Sequence, residues 1–364
     1  MDATRGPILF RCDGTPEHGW EPFYQCLSLA AALQRRRRGT YFFSYLDPLS
    51  LATVINRGNN EWIAAERRMG DDGDLEATIA QAYRLNAAAI ILAGPHYSAE
   101  YIRELKKTGA LVMVFDSTAR MVFPADLVVN PLLAPTRKHY RIEPGGQLLL
   151  GYRYTLCRGV FRRQRTIRAI EPPQPFRAMV AMGDNDLLGE CITRTQQLLE
   201  MDRVAKVTIA TRSHHIHTDA IQELVAQSGG RVEVVSEPKE LMTRLVRVHF
   251  AITAGDMWSP ELCVVGIPQL IISQAPHHAG NGKKLDEEGV ATYLGDAHDV
   301  TFEQLKEAVD LLLDDPMERK GMTRCARNTF DGRGPDRIVN GLEILLHSPT
   351  RKRAVASQPL SAAA

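Results

Sequence analysis

Two stretches of this chain combine residue types and spacings suited to ligand chemistry. In "ITAGDMWSPELCVVGIP" an apolar run ends at Thr253, Ala254-Gly255 makes a turn, and "SPEL" opens a helix. Ser259 is a natural N-cap there and Pro260 suits the first helical position. Glu261 then falls in the first turn, where a carboxylate either accepts two hydroxyl hydrogen bonds, as a ribose offers, or simply complements the helix dipole. Trp258, beside Gly255 and Met257, either closes over a ligand or packs beneath the loop. "VAMGDNDLLGE" repeats the strand–turn–helix form. Gly183 allows close backbone approach, and Asp184, Asn185 or Asp186 can cap the helix, a layout that suits a diphosphate even though acids repel one.

A third stretch, "RCDGTPEHGWEPFYQCLSLAAAL" at 11–33, follows the apolar "PILF". A turn with Gly14 and Gly19 leads into an amphipathic run, but Glu21-Pro22 stands where the helix should open. Histidines cluster twice. His277 and His278 in "QAPHHAGNG" follow an apolar run and so reach the ligand-binding edge of a sheet. "SHHIH" (His214, His215, His217) reads as a polar loop without a second ligand group. No metal or other cofactor is expected, because neither Asp-x-Asp nor a His/Cys ligand set stands at a strand end.

These turns need elements to hold them. Apolar runs at 8–12, 40–45, 89–93, 111–116 and 127–130 alternate with helical patterns at 22–36, 48–57, 73–85 and 98–108. In "SAEYIRELKKTGA", Ser98 caps, Lys106 and Lys107 end the helix and Gly109 stops it. After a basic, proline-bearing break, strands are expected at 177–182, 206–210, 231–235, 249–253 and 268–272. Helices are expected near 187–202, 217–228, 238–247, 259–265, 279–288, 302–313 and 316–328. Alternation of this kind predicts an α/β protein with parallel sheets covered on both faces. The expected organisation is two Rossmann-like doubly wound domains facing across a cleft. They are residues 1–157 and a nucleotide-binding domain at 177–347, joined by a crossover at 158–176 and followed by a flexible tail at 348–364. Ligands of such sheets bind beyond the carboxyl ends of the strands.

The 364 residues suffice for two cores. Lys+Arg 44 against Asp+Glu 43 exerts no global pull toward nucleic acid or an anionic membrane. The run "RRRR" at 35–38 reads as the solvated, dipole-complementing end of a helix. Cysteines 12, 26, 157, 191, 263 and 325 form no C-x-x-C pair and read as reduced core thiols. The N-terminus has no apolar signal core, and no apolar run reaches the ~18 residues of a membrane span. The expectation is a cytoplasmic protein with no membrane span; the sequence does not specify an oligomeric state.

The order of motifs resembles one family. "RCD" followed by "CLSLAAAL", "VFDSTARMVFPADLVVNP", "LLLGYRYTLCRGVFR", "VAMGDND", "ITAGDMWSPELCVVGIP" and "FDGRGPDRIVNGLEILL" run in the order of the PseG/SpsG-like nucleotide-sugar hydrolases. Those proteins have the glycosyltransferase-B fold, akin to MurG. The resemblance implies cleavage of UDP from an amino sugar at the anomeric carbon, with water as acceptor and a histidine as base. The family pattern R-A-D…G-x-G-H-x-x-R-C-L-x-L-A places Gly19 on the first glycine, Glu21 on the second, Pro22 on the histidine and Gln25 on the arginine. The family's Asp-x-Tyr falls on Ala93 and Pro95, and its Asn-Gln on His277-His278. Asp13 stays, and Glu261 stays in register with the glutamate that holds the nucleotide.

The resemblance thus implies UDP near Gly183, Asn185, Asp186, Val235, Ser236, Gly255, Met257, Trp258 and Glu261. The sugar would face Gly19, His277, His278 and the catalytic candidates Asp13 and His18, His18 being a substitute for the lost base. Three functions follow as expectations. One is a UDP-sugar-binding enzyme that hydrolyses or transfers at the anomeric carbon in surface polysaccharide or nonulosonic acid synthesis. The others are a catalytically inactive nucleotide-sugar-binding or scaffold protein, and a glycosyltransferase acting on a sugar acceptor.

Overall fold

The computed structural model describes residues 6–16, 19–183, 186–212 and 215–348. The chain forms two compact units: Met1–Pro131 with Pro135–Tyr154 and Pro335–Ala364, and Leu132–Ala134 with Thr155–Gly334.

The first unit runs β1 (Ile8–Cys12), α1 (Glu21–Arg35), β2 (Thr40–Ser44), α2 (Leu51–Arg57), β3 (Glu61–Ala64), α3 (Asp74–Leu85) and β4 (Ala89–Ala93). It continues with α4 (Ala99–Lys106), β5 (Leu111–Phe115), β6 (Val122–Phe123), β7 (Leu127–Asn130), β8 (Arg141–Ile142) and β9 (Gln147–Leu150). Seven strands make one parallel sheet in the order β3-β2-β1-β4-β5-β7-β9, and β6 pairs with β8 apart from it. The sheet is covered on both faces, which is why its central strands are continuous apolar runs. Leu9, Ile90, Leu92, Val112 and Val114 pack with Tyr101, Ile102 and Leu105 of α4. Alternate residues meet an aromatic layer, in which Phe10 stacks on Phe42 at 4.6 Å and Phe23 of α1 meets Phe42 edge-on at 6.3 Å. Ser98 caps α4 as its sequence predicts, its hydroxyl accepting the Tyr101 N–H at 3.1 Å.

The second unit runs α5 (Gly159–Ile167), β10 (Arg177–Ala181), α6 (Glu190–Leu199), β11 (Lys206–Ala210), α7 (Thr218–Gln227), β12 (Val232–Val235), α8 (Pro238–Leu245) and β13 (Phe250–Thr253). Then come α9 (Trp258–Val265), β14 (Gln269–Ser273), α10 (Pro276–Glu287), β15 (Thr292–Asp296), α11 (Phe302–Asp314) and α12 (Pro316–Thr329). Its six parallel strands take the order β12-β11-β10-β13-β14-β15, the dinucleotide-fold order with its reversal between β10 and β13. Along β10, Ala178 and Val180 enter one apolar cluster while Met179 and Ala181 enter another. Period-two side chains therefore feed a core on each face.

The last helix, α13 (Gly334–Leu346), belongs to the first unit from Pro335 onward, so the contacts divide the chain differently from the expected 177–347 domain. The run at 35–38 explains why. Arg35 pairs with Asp336 at 2.6 Å, Arg36 donates to Asn340 at 2.7 Å, and Arg38 takes both oxygens of Glu343 at 2.8 and 2.6 Å. Positions 336, 340 and 343 make one polar stripe at helical spacing. The arginines therefore dock a helix, where a merely solvated end was expected. The expected crossover at 158–176 carries α5 and groups with the second unit. Residues 349–364 lie outside the described residues, and with them nearly all of the expected tail. Five cysteines are buried and Cys325 is exposed, all as free thiols. Among the described residues no helix is long and apolar enough to cross a membrane.

Candidate functional site

In the second unit the strand order reverses between β10 and β13, and the turns leaving both strands are glycine turns. Gly183 has φ +88°, and a Cβ there would lie 2.9 Å from the Asp256 carboxylate. Gly255 has φ +82°, and a Cβ there would strike the His278 carbonyl oxygen at 2.6 Å. Gly183 thus needs glycine for its conformation, and Gly255 for conformation and for space. Asn281 ties this edge together, its amide donating to Gly255 O at 3.0 Å and accepting the Leu133 N–H at 2.9 Å. Gln274 donates to Met182 O at 3.1 Å, joining the turn after β14 to the turn after β10.

Three helices start at this edge, and they differ in what occupies their first amides. Asp186 is fully buried and accepts the N–H groups of Glu190 and Cys191, each at 2.8 Å, so it caps α6. Asp256 accepts the Trp258 N–H at 3.1 Å and opens α9. The helix therefore starts at Trp258, and Ser259 is not its cap. The Ser259 hydroxyl instead meets Thr253 at 2.8 Å inside the core, where Gln269 also donates to Ser259 O at 2.9 Å. Among the described residues no side chain caps the start of α10, which leaves the amides of His277 and His278 at its N-terminus. Burial, with the neighbouring His277 adding to it, pushes the His278 imidazole down to about 3. It is neutral at pH 7, with a buried Nδ1 that has no hydrogen-bond partner among the described residues.

Glu261 is the residue whose surroundings depart furthest from the sequence reading. It is fully buried, and Arg158 surrounds it. The Arg158 main-chain N–H donates to Oε1 at 2.8 Å, Nε lies 3.0 and 3.1 Å from the two oxygens, and Nη2 donates to Oε2 at 2.6 Å. Its guanidinium carbon lies 4.7 Å from the Trp258 ring centroid and 4.8 Å from that of Phe161. Of the two alternatives for Trp258, packing beneath the loop is the one seen: the ring is 1% exposed, edge-on to Phe161 at 6.0 Å. Arg212, buried two residues beyond β11, places its guanidinium 6.0 Å from the same indole. Met257 and Val235 are buried, and Ser236 is exposed beyond β12.

Arg158 and Arg212 were missed by sequence reasoning. Arg158 lies in "LCRGVF", directly before α5, and the signal available was a basic residue at a helix start 103 positions from its carboxylate.

Asp186, Cys191 and His215 bring ligand-capable atoms within 4.8 Å of one another. Both Asp186 oxygens already serve amides. Burial, with Asp186 next, raises the Cys191 thiol, and burial lowers His215. His215 Nδ1 accepts the His217 N–H at 3.2 Å, and His217 Nε2 lies 2.8 Å from Asp186 O. Those partners make the trio a cap that joins the turns after β10 and β11. Asn185 and His214 lie outside the described residues.

In the first unit, Asp13 has no oxygen to spare. Oδ1 accepts the Tyr45 N–H at 2.9 Å and Oδ2 the Met69 N–H at 2.6 Å, while Arg11 binds both. Arg11, fully buried, also pairs with Asp74 at 2.7 Å and donates to Arg67 O at 3.1 Å. Asp74 accepts from Gly70 N at 2.9 Å and the Tyr101 hydroxyl at 2.8 Å. This network pins residues 67–70 against β1. Gly19 bridges to Thr15 with φ +75°, and His18 lies outside the described residues. Pro22 sits in the first turn of α1, where its missing N–H costs nothing, and Gln25 donates to Glu21 at 3.1 Å.

No protein-family model matches the chain. In sequence it is similar to the spore coat polysaccharide biosynthesis protein SpsG of Bacillus subtilis, 20% identical over 252 residues, 68% of this chain and 74% of that one. In structure it is similar to MurG of Acinetobacter baumannii, with a TM-score of 0.63 at 13% identity over 93% of this chain and 99% of the other. The spinosyn rhamnosyltransferase SpnG complexed with thymidine diphosphate aligns with a TM-score of 0.60 at 15% identity over 93% and 100%. S. aureus MnaA with UDP aligns with a TM-score of 0.60 at 11% identity over 95% and 98%. The chain is SpsG-like in sequence, and its α/β architecture of two Rossmann-like units is that of the glycosyltransferase-B fold.

Proposed function

We propose that the second unit binds the nucleoside diphosphate of a nucleotide sugar and that the protein transfers the sugar in polysaccharide synthesis. The observation that carries this reading is the convergence of Gly183, Gly255 and the uncapped start of α10 at the switch point of the sheet. Amides at an uncapped helix N-terminus and close-approach glycines are what a diphosphate needs. Arg158, held by Glu261 over Trp258, adds a fixed cation at the start of α9. The complexes of SpnG with thymidine diphosphate and of MnaA with UDP support a nucleotide ligand, and the SpsG name supports polysaccharide synthesis. UDP is the nucleotide that the family resemblance favours.

Transfer is preferred to hydrolysis because Pro22 occupies the position of the family's base and cannot take a proton from water. Calorimetric titration with UDP and dTDP, followed by UDP release from UDP-sugars with and without saccharide acceptors, tests the reading. Saturable nucleotide binding and acceptor-dependent release are expected. Silence toward both nucleotides at millimolar concentration removes it.

A further inference from the structure

The amino edge of the second sheet, opposite the proposed nucleotide turns, holds a cavity of about 200 Å³ lined by Arg177, Lys206, Thr208, Glu233, Arg244, Arg247 and Val248. Arg177 opens β10 and Lys206 opens β11, Arg244 lies in the last turn of α8, and Arg247-Val248 lead into β13. Four cations share this space with one carboxylate, an excess of three positive charges. Glu233 is already saturated. Its Oε1 accepts from the Thr208 hydroxyl at 3.0 Å and lies 2.8 Å from Arg244 Nε, and its Oε2 lies 2.9 Å from Lys206 Nζ. Burial would raise the Glu233 carboxyl, but Lys206, Thr208 and Arg244 outweigh it and hold it below its ordinary value.

Two guanidinium groups remain. Those of Arg177 and Arg247 make no hydrogen bond or ion pair among the described residues. Like charges gathered in a partly enclosed space repel one another, and an anion with several acceptor oxygens relieves that repulsion. We infer that this cavity is an anion site for a phosphate group, bound between Arg177 and Arg247 and separate from the nucleotide turns. The chemistry fits free phosphate and the terminal group of a phosphomonoester equally.

Calorimetry on the full chain at low ionic strength, with inorganic phosphate and glycerol 3-phosphate as probes, tests the site. Saturable binding of at least one probe is expected, weakened about tenfold in Arg247→Glu and lost in the Arg177→Ala/Arg247→Ala pair, the loss expected for charge-assisted hydrogen bonds. Neither arginine side chain holds another group, so the variants should unfold at an unchanged or higher midpoint in phosphate-free buffer. Tighter binding of glycerol 3-phosphate assigns a phosphomonoester; equal or tighter binding of phosphate assigns the free anion. Binding must also persist in the presence of saturating UDP, whatever UDP itself does at the other edge. Absence of saturable binding, retention of full affinity by the double variant, or displacement by UDP overturns the site.

Discussion

Arg158 Nη2 lies 2.6 Å from Glu261 Oε2, and the same arginine's main-chain N–H donates to Oε1 at 2.8 Å. Glu261 is fully buried, whereas the Arg158 side chain keeps 23% of its surface exposed. A ligand approaching α9 therefore meets the cation before the carboxylate. Glu261 acts first as an orienting group, fixing a guanidinium against two aromatic rings.

This arrangement separates two effects of Glu261→Gln. Removing one partner of a buried pair costs about 2–4 kcal/mol, discounted because Arg158 retains some water. Urea unfolding should show that loss. If Glu261 instead served ribose alone, the unfolding midpoint would stay put while UDP affinity fell.

Asp13 is expected to be structural. Asp13→Asn removes the charge facing Arg11 and one acceptor from Tyr45 or Met69, so it should cost about 3 kcal/mol, Asp74 still pairing the arginine. A general base at this position would give the opposite pattern, with stability intact and turnover abolished. Denaturant titration beside an activity assay distinguishes them.

His249 supplies a pH dependence. Its Nδ1 accepts the Arg177 N–H at 3.1 Å and its Nε2 faces Pro172 O at 3.1 Å, an arrangement that requires the neutral ring. Burial is the largest cause of its lowered pKa. The unfolded chain then binds the proton more readily, so stability present above pH ~6.5 is lost as pH falls, with a limiting slope of about 1.4 kcal/mol per unit. His249→Gln should flatten the fall in urea midpoint between pH 7 and 5. An unchanged slope would assign the dependence to other groups, such as His215.

The buried strands were legible in the sequence because both faces of each strand are apolar. The strands that sequence reasoning missed are β3, β9 and β15, at the edges of the two large sheets, and the two-residue β6 and β8, which pair apart from them. An edge strand has one neighbour and less apolar surface to bury, so "EWIA" and "TYLGD" carry a weaker pattern, while "QLLL" is apolar but only four residues long and partly exposed. Helix α5 hides in a basic segment, since only Phe161 and Gln164 are buried along it. In the second unit, the glycine turns at Gly183 and Gly255 and the place of Glu261 in the first turn of α9 were legible from local turn chemistry. Arg158 was not, because an ion pair spanning 103 positions leaves no local trace.

The start of α1 carries the last prediction. Pro22 lies in the first turn, and Gln25, on the family's arginine position, is engaged by Glu21. Hydrolysis of a UDP-amino sugar should therefore be undetectable or very slow, since general-base catalysis contributes ~10²–10⁴-fold. Pro22→His alone should recover little, because a base must be oriented by a partner and Glu21 stands where the family has glycine. The triple change Glu21→Gly, Pro22→His, Gln25→Arg returns the base, the cation and the open turn. Ala93 and Pro95 still replace the family's Asp-x-Tyr, so recovery should be partial. The rival is His18 acting as base. In that case the unmutated protein hydrolyses the UDP-sugar already and His18→Ala abolishes turnover. Rapid water-dependent UDP release that survives His18→Ala would refute both assignments and place the base elsewhere in the chain.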